Sequence, residues 1–293
     1  MKFGILWNLP SPGVLTTHGF EPTGTFEANL NAYLAGAQEA EKLGYDSLFV
    51  SDHAFMSCDT WTLLSYVAAK TTKIRLGTGV TPIPRYVPAQ LARVIASVDQ
   101  LSNGRVIAGF GAGWSPLEFM TFAPGGVYDF PRERYAKTTE ALRLMIKLWS
   151  QENVTFRGKY YWVMDVAAML PRPVQQPHPP VWYGGTRPST LENTAKYYDG
   201  WYCPTHGALG KEVAGVEGYE AKVKKIKEYA KKRNRDMTKF TFAVADGIQL
   251  SPAMIEKYVA AGCNYFIRGF RGKLEEQPNR MREFAKNVVP SFQ

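Results

Sequence analysis

The sequence predicts an α/β protein, a (β/α)8 TIM barrel, on three observations. Short β-rich runs alternate with longer helical patterns from end to end of the 293 residues. Strands that alternate with helices imply parallel βαβ units, and eight such units are present, the number at which right-handed crossovers close into a barrel. The length suits one barrel domain over residues 1–293, since about 250 residues is typical and insertions add more. An open doubly wound sheet is the alternative. The count of eight and the lack of a second domain favour the barrel.

The first strand falls at residues 3–7 and the first helix at 26–43, stopped by Gly44. The second strand, 47–51, has Leu48, Phe49 and Val50 apolar in succession, as in a strand buried on both faces. A helix follows at 61–69. The third strand is 74–80 and its helix 89–101. The fourth strand, 105–109, ends in a glycine cluster. Its helix, 132–149, carries Leu142, Met145, Ile146 and Trp149 on one side, at the spacing of an apolar stripe. Residues 154–180 break the rhythm. A small hairpin is expected at 156–161, followed by five prolines, so this segment is an insertion after the fourth barrel helix. The alternation resumes with strand 181–183 and helix 189–198, then strand 200–203 and helix 219–233. Strand 240–245 with helix 253–261 and strand 264–268 with helix 280–288 complete the count.

Hydrophobic residues make up 45% of the chain and charged residues 21%, enough apolar side chain for a large core. No run approaches the ~20 apolar residues that span a bilayer, and the first residues do not read as a secretory signal. Cys58, Cys203 and Cys263 lie far apart and form no CxxC pair, which argues against a disulfide framework or a zinc site. A cytoplasmic protein with free thiols is expected. The net charge of +9 at pH 7 favours anionic partners through long-range attraction. Its densest stretch, 222–235, has Val223, Ile226, Tyr229 and Ala230 at helical spacing. It is expected as a surface helix with a solvated basic face; a nucleic-acid surface is the disfavoured alternative.

In a barrel, functional residues come from the C-terminal ends of the strands and the loops after them. Those positions are Trp7-Asn8, Ser51-Asp52-His53, Gly77 to Val80 with Arg85, Gly111 to Trp114, Gly184 to Arg187, Pro204-Thr205-His206, Asp246, and Arg268-Gly269. The cluster from Gly109 to Trp114 is spaced GxGxG rather than GxGxxG, and no ribose-binding acid follows it in a matching unit. Its glycines suit either close approach of backbone to a flat ring or a tight turn. Gly184-Gly185-Thr186-Arg187 sits between a strand and a helix. Free N–H groups at a helix start, a hydroxyl and an arginine suit a phosphate; an N-capped helix is the plainer alternative. His53 follows a strand directly and can exchange a proton near neutral pH. Its neighbour Asp52 is adjacent in an extended segment, where successive side chains point oppositely. His18, His178 and His206 are scattered and give no metal spacing.

Taken together these residues resemble the bacterial luciferase-like monooxygenase superfamily, especially its branch that uses the deazaflavin coenzyme F420. The matching stretches are EKLGYDSLFVSDH at 41–53, IRLGTGV at 74–80, Ala92-Arg93, DQLSNGR at 99–105, GAGW at 111–114, PRPVQ at 171–175, PPVWYGG at 179–185 and DGW at 199–201. Their joint order spans residues 1 to about 205; the last third matches only in rhythm. The resemblance implies a barrel with an insertion after the fourth helix and an isoalloxazine-like ring across the strand ends. It implies a bulge in the third strand, with a non-proline cis peptide at Gly79-Val80 that presses the ring toward its bent reduced shape. Gly111, Ala112 and Gly113 would run under the ring, with Asn8 beside it, and Gly184, Gly185, Thr186 and Arg187 would hold the phosphate end. His53, with Asp52, would act as acid, base or hydrogen-bond donor.

One departure stands out. Sugar-phosphate dehydrogenases of this branch have Glu where this chain has Trp114, so that activity is not expected. Trp7, Phe55, Trp61, Trp114 and Tyr202 suggest a flat apolar substrate pocket. The resemblance thus implies hydride transfer between a reduced deazaflavin and a small organic substrate, apolar or aromatic in character. The alternative is an FMN-dependent monooxygenase supplied with reduced flavin by a partner reductase; Ser51-Asp52-His53 favours the deazaflavin. A third reading, a non-catalytic flavin-binding or nucleic-acid-binding barrel, rests on the basic helix alone. Family members are often homodimers.

Overall fold

A computed structural model describes residues 1–9, 20–21, 24–55, 58–205, 207–246, 250–270 and 272–292. Eight parallel strands close on themselves: β1 Lys2–Leu6, β2 Ser47–Val50, β3 Arg75–Thr78, β4 Val106–Gly111, β5 Val181–Tyr183, β6 Gly200–Pro204, β7 Thr241–Asp246 and β8 Tyr265–Gly269. Each pairs with the next in sequence, and β8 pairs with β1 from Lys2↔Tyr265 to Leu6↔Gly269. The barrel is therefore the one expected.

Side chains alternate across each strand, and this divides the apolar residues into two sets. Leu6, Phe49, Ile107, Trp182, Tyr202 and Tyr265 belong to one small cluster. Phe49 of β2 and Trp182 of β5 are 5.4 Å apart between ring centroids, and Trp182 meets Tyr265 of β8 at 5.0 Å. These strands are not neighbours, so the contacts cross the barrel axis and this cluster fills the interior. The residues between them, such as Ile5, Leu48, Phe110, Tyr183 and Phe266, join the larger core under the helices.

The helices are α1 Phe26–Lys42, α2 Thr60–Ala68, α3 Pro88–Leu101, α4 Pro116–Phe122, α5 Pro131–Ser150, α6 Pro188–Tyr197, α7 Gly207–Val213, α8 Gly215–Lys231, α9 Pro252–Ala260 and α10 Gln277–Asn287. Five of them begin on proline, which suits the first helical position because its missing N–H would have no intrahelical partner. α4 and α7 were not expected from the sequence. The basic stretch lies largely in α8, whose Tyr219, Val223, Ile226 and Ala230 are buried while its lysines face outward. No helix among the described residues is long and apolar enough to cross a membrane.

The insertion holds an antiparallel pair, Val154–Arg157 with Trp162–Val166, apart from the barrel sheet. Its turn is fastened to α5: Glu140 accepts from the backbone N–H groups of Lys159, Tyr160 and Tyr161 at 3.0, 2.7 and 2.8 Å. The third strand stops at Thr78, shorter than its expected 74–80. The Gly79-Val80 peptide is cis, and Thr81–Pro82 then pairs with β4 again at Phe110 and Gly111.

Candidate active site at the strand ends

Strand parity decides which of the strand-end residues face the barrel mouth. Leu6 and Phe49 point inward, so Asn8 and Ser51, two residues on, share that side. They bind each other: Asn8 Nδ2 donates to Ser51 Oγ at 3.2 Å, and Ser51 N–H donates to Asn8 Oδ1 at 2.7 Å. Both line one small cleft with His53, Cys58 and Thr60.

Trp7 falls on the opposite parity. Its indole packs on Gly36 of α1 and its Nε1–H donates to Tyr33 O at 3.2 Å. Trp61 is buried in α2 within the helix-layer core. Both leave the expected substrate pocket for the core, because one sits on an outward strand position and the other on the inner face of a helix. Tyr202 lies inside the barrel, under Gly79, where a Cβ would come within 2.8 Å of its hydroxyl. Asp246 and Arg268 also face outward and form an ion pair, and the Arg268 guanidinium lies over the ring of Phe284 of α10. His206 lies outside the described residues.

The bulge explains several of the glycines. A Cβ on Gly111 would meet Val80 Cγ2 at 2.7 Å, and one on Gly184 would meet Val80 Cγ1 at 2.9 Å. Val80 therefore stands at the mouth as a ridge between two glycines, a floor of backbone and one small side chain. Gly113 serves a turn instead: its φ is +72°, and a Cβ there would strike Phe119 of α4 at 2.5 Å. Ala112 between them is buried.

Beside this floor lies a buried charge network. Asp52 and His53 follow β2, Arg85 ends the single 3-10 turn Ile83–Arg85 after the bulge, and Glu118 sits in the first turn of α4. Arg85 pairs with Asp52 through one guanidinium nitrogen and with Glu118 Oε2 through the other, the latter at 2.6 Å. The Tyr86 hydroxyl donates to Asp52 Oδ2 at 2.8 Å and accepts from Arg85 at 3.0 Å. Glu118 Oε1 lies 2.9 Å from His53 Nδ1. The carboxylate on His53 is thus Glu118. Asp52, named with His53 as catalytic from the sequence, is held by Arg85 and Tyr86. Burial opposes the charge on Glu118, yet the His53 contact and Arg85 hold its carboxyl below the usual range. Burial pushes the Asp52 carboxyl up, against the pull of Arg85. Burial likewise opposes the Arg85 charge, but Asp52, Tyr86 and Glu118 outweigh it and raise its pKa.

One exposed aromatic residue stands beside the histidine, and a second lies two residues after it in the chain. Trp114, 64% exposed, meets the His53 ring edge-on at 5.7 Å. Phe55, also exposed, meets Phe122 of α4 edge-on at 5.4 Å. At another point of the mouth, Gly184, Gly185, Thr186 and Arg187 lead into α6, with Arg187 exposed at the N-cap position. The Thr186 hydroxyl donates to Glu212 of α7 at 2.5 Å. Among the described residues no group of three or more His, Cys, Asp or Glu could hold a metal ion. Glu118 and Tyr86 were not singled out from the sequence. An S-P-x-E signal starts α4, but it reads as a capping box, in which the glutamate would turn back on its own helix.

A model of luciferase-like monooxygenases matches residues 1–253. The chain is 36% identical over 205 residues to an F420-dependent glucose-6-phosphate dehydrogenase of Kineococcus radiotolerans, covering 65% of this chain and 58% of that protein. It thus spans little more than half the length of that relative. It is 31% identical over 248 residues to the F420-dependent hydroxymycolic acid dehydrogenase of Mycobacterium tuberculosis, covering 76% of this chain and 67% of that one. Among solved structures, the monooxygenase RslO1 from Streptomyces bottropensis superposes with a TM-score of 0.82 over the whole of both chains at 22% identity.

Proposed function

Because the chain belongs to the luciferase-like monooxygenase family, we propose that it is an oxidoreductase that moves a hydride between coenzyme F420 and a small organic substrate. The observation that carries this reading is the pairing of His53 with Glu118 beside the Val80 ridge. A flat ring needs a floor free of bulky side chains, and the mouth offers Val80 between Gly111 and Gly184. A ring with polar edges needs fixed hydrogen-bonding groups, and Asn8 and Ser51 hold each other in place. Bound F420 supplies the hydride chemistry, which no side chain offers.

The chain's own residues do the rest. Gly184, Gly185, Thr186 and Arg187, which lead into α6, would hold the phosphate through backbone N–H groups and one guanidinium. Ala112 and Gly113 turn the chain toward α4. His53 handles the proton that accompanies the hydride. Trp114 and Phe55 make the wall next to His53 apolar and aromatic, and so should the substrate be. The relative from Kineococcus radiotolerans is named for glucose 6-phosphate. Trp114, where a carboxyl acid is expected for that reaction, argues against the same substrate here.

Titration of the protein with F420 and, separately, with FMN tests the reading. F420 should quench or shift its own fluorescence on binding with saturable 1:1 behaviour, and FMN should bind far more weakly. Tight FMN binding with no affinity for F420 would overturn it.

A further inference from the structure

We propose that Glu118 is a positioning residue for His53: its carboxylate fixes the neutral ring as the tautomer protonated on Nδ1 and so makes Nε2 the basic nitrogen. Only the substrate half of this idea, that Nε2 exchanges a proton with the substrate, rests on the F420-oxidoreductase reading.

The argument starts from the two oxygens of Glu118, which have separate partners. Oε2 accepts from Arg85 at 2.6 Å, and Oε1 faces His53 Nδ1 at 2.9 Å. Beside a guanidinium the carboxyl is ionised, consistent with its lowered pKa, and an ionised carboxylate only accepts hydrogen bonds. The nitrogen facing it must therefore carry a hydrogen. A neutral imidazole has one N–H, so the lone pair lies on Nε2. The arrangement is also stiff. Ser115 caps α4 from its side-chain oxygen to Glu118 N–H, and Arg85 is itself clamped by Asp52 and Tyr86. Asp52, Tyr86 and Arg85 then act at one remove, through the carboxylate they hold in place. Orientation of a base by a third group is a general device for choosing its tautomer.

The tautomer can be read without cofactor or substrate. The chain has four histidines, so labelling them with 15N in the ring gives few signals, and His53→Gln assigns the pair that disappears. At a pH where the rings are neutral, Nδ1 of His53 should appear protonated and Nε2 unprotonated. Glu118→Gln, whose amide can donate or accept toward Nδ1, should mix the tautomers or reverse them. A wild-type ring protonated on Nε2, or an unchanged Nδ1–H signal in Glu118→Gln, would overturn the proposal. Because the wild-type spectrum is itself decisive, the test survives a variant that folds poorly. In turnover, Glu118→Gln should lower kcat by about 10²-fold or more, with KM nearly unchanged. Failure of the F420 reading would leave the spectra untouched, so the two ideas fail separately.

Discussion

Arg85 balances two buried carboxylates with one guanidinium. Its planar fork is the reason it can do so: each terminal nitrogen has its own acceptor, Asp52 on one side and Glu118 on the other. A lysine presents one compact charge and cannot span both in that geometry. Removing the cation leaves two desolvated carboxylates facing each other. Arg85→Met should therefore destabilise the fold by about 3–5 kcal/mol, the cost of leaving a buried ion pair broken. Arg85→Lys should fall between it and the wild type. Urea unfolding measures both, and a loss in Arg85→Met of only about 0.5 kcal/mol, the size of an ordinary surface change, would show that the network is solvated. At this scale the sequence is only partly legible. His53 is visible because it follows a strand. Its carboxylate is not, because Glu118 lies 65 residues away. The nearer acid, Asp52, is drawn off by the alternation of side chains in an extended segment, which sends it toward Arg85 and Tyr86.

At the scale of elements, four late helix starts and one missed helix trace to proline. The expected helices at 89–101, 132–149, 189–198 and 253–261 each begin one residue late, after Pro88, Pro131, Pro188 and Pro252. Read as breakers, these prolines are in fact first helical residues. The same reading hides α4 altogether, since Pro116 follows the glycine cluster directly, and with α4 it hides Glu118. The insertion is visible in the sequence as a break in rhythm, but its anchor is not. Glu140 sits mid-way along α5 and collects three successive backbone N–H groups of the hairpin turn. Hydrogen bonds to a charged acceptor contribute about 1.5–3 kcal/mol. Glu140→Ala should thus speed amide exchange at Lys159, Tyr160 and Tyr161 by roughly 10–100-fold, read by hydrogen-exchange mass spectrometry. Exchange in β1–β8 should not change. Unaltered exchange in the turn would mean that the hairpin is held by Val154 and Phe156 in the core instead.

For the whole molecule, the barrel was legible because its signal is repeated eight times, and a boundary error of one or two residues does not alter the count. Which strand-end residues face the mouth was not legible to the same degree. A one-residue uncertainty in a strand end exchanges inside for outside, and this carried Trp7 from the expected pocket to the helix layer. The aromatic residues so placed have a consequence of their own. Tyr33, Tyr183, Tyr198, Tyr202, Tyr219 and Tyr265 are all buried, and burial raises each phenol's pKa above its ordinary 10.0. A raised folded pKa means the unfolded chain loses its proton first. The stability these groups contribute is complete below pH 10.0 and is lost as pH rises through and beyond that value. On the acid side Glu118 and Glu41 behave oppositely. Glu41 accepts from the N–H groups of Thr72, Lys73 and Ile74 at 2.8, 2.5 and 3.0 Å. Burial works against its charge, but these donors and Arg105 lower its pKa below 4.5. Its contribution is present above 4.5 and is lost as pH falls below it, and Glu118 follows the same sign. Asp52, raised by burial, partly offsets them. Stability against pH should therefore form a plateau with a steep alkaline edge above pH 10 and a shallower acid edge below 4.5. Unfolding midpoints in urea across pH trace the curve, and Glu41→Gln should flatten the acid edge. Phenolate absorbance should rise together with loss of structure on the alkaline side. Ionisation of these six tyrosines near pH 10 in a chain that is still folded would refute their burial as the cause.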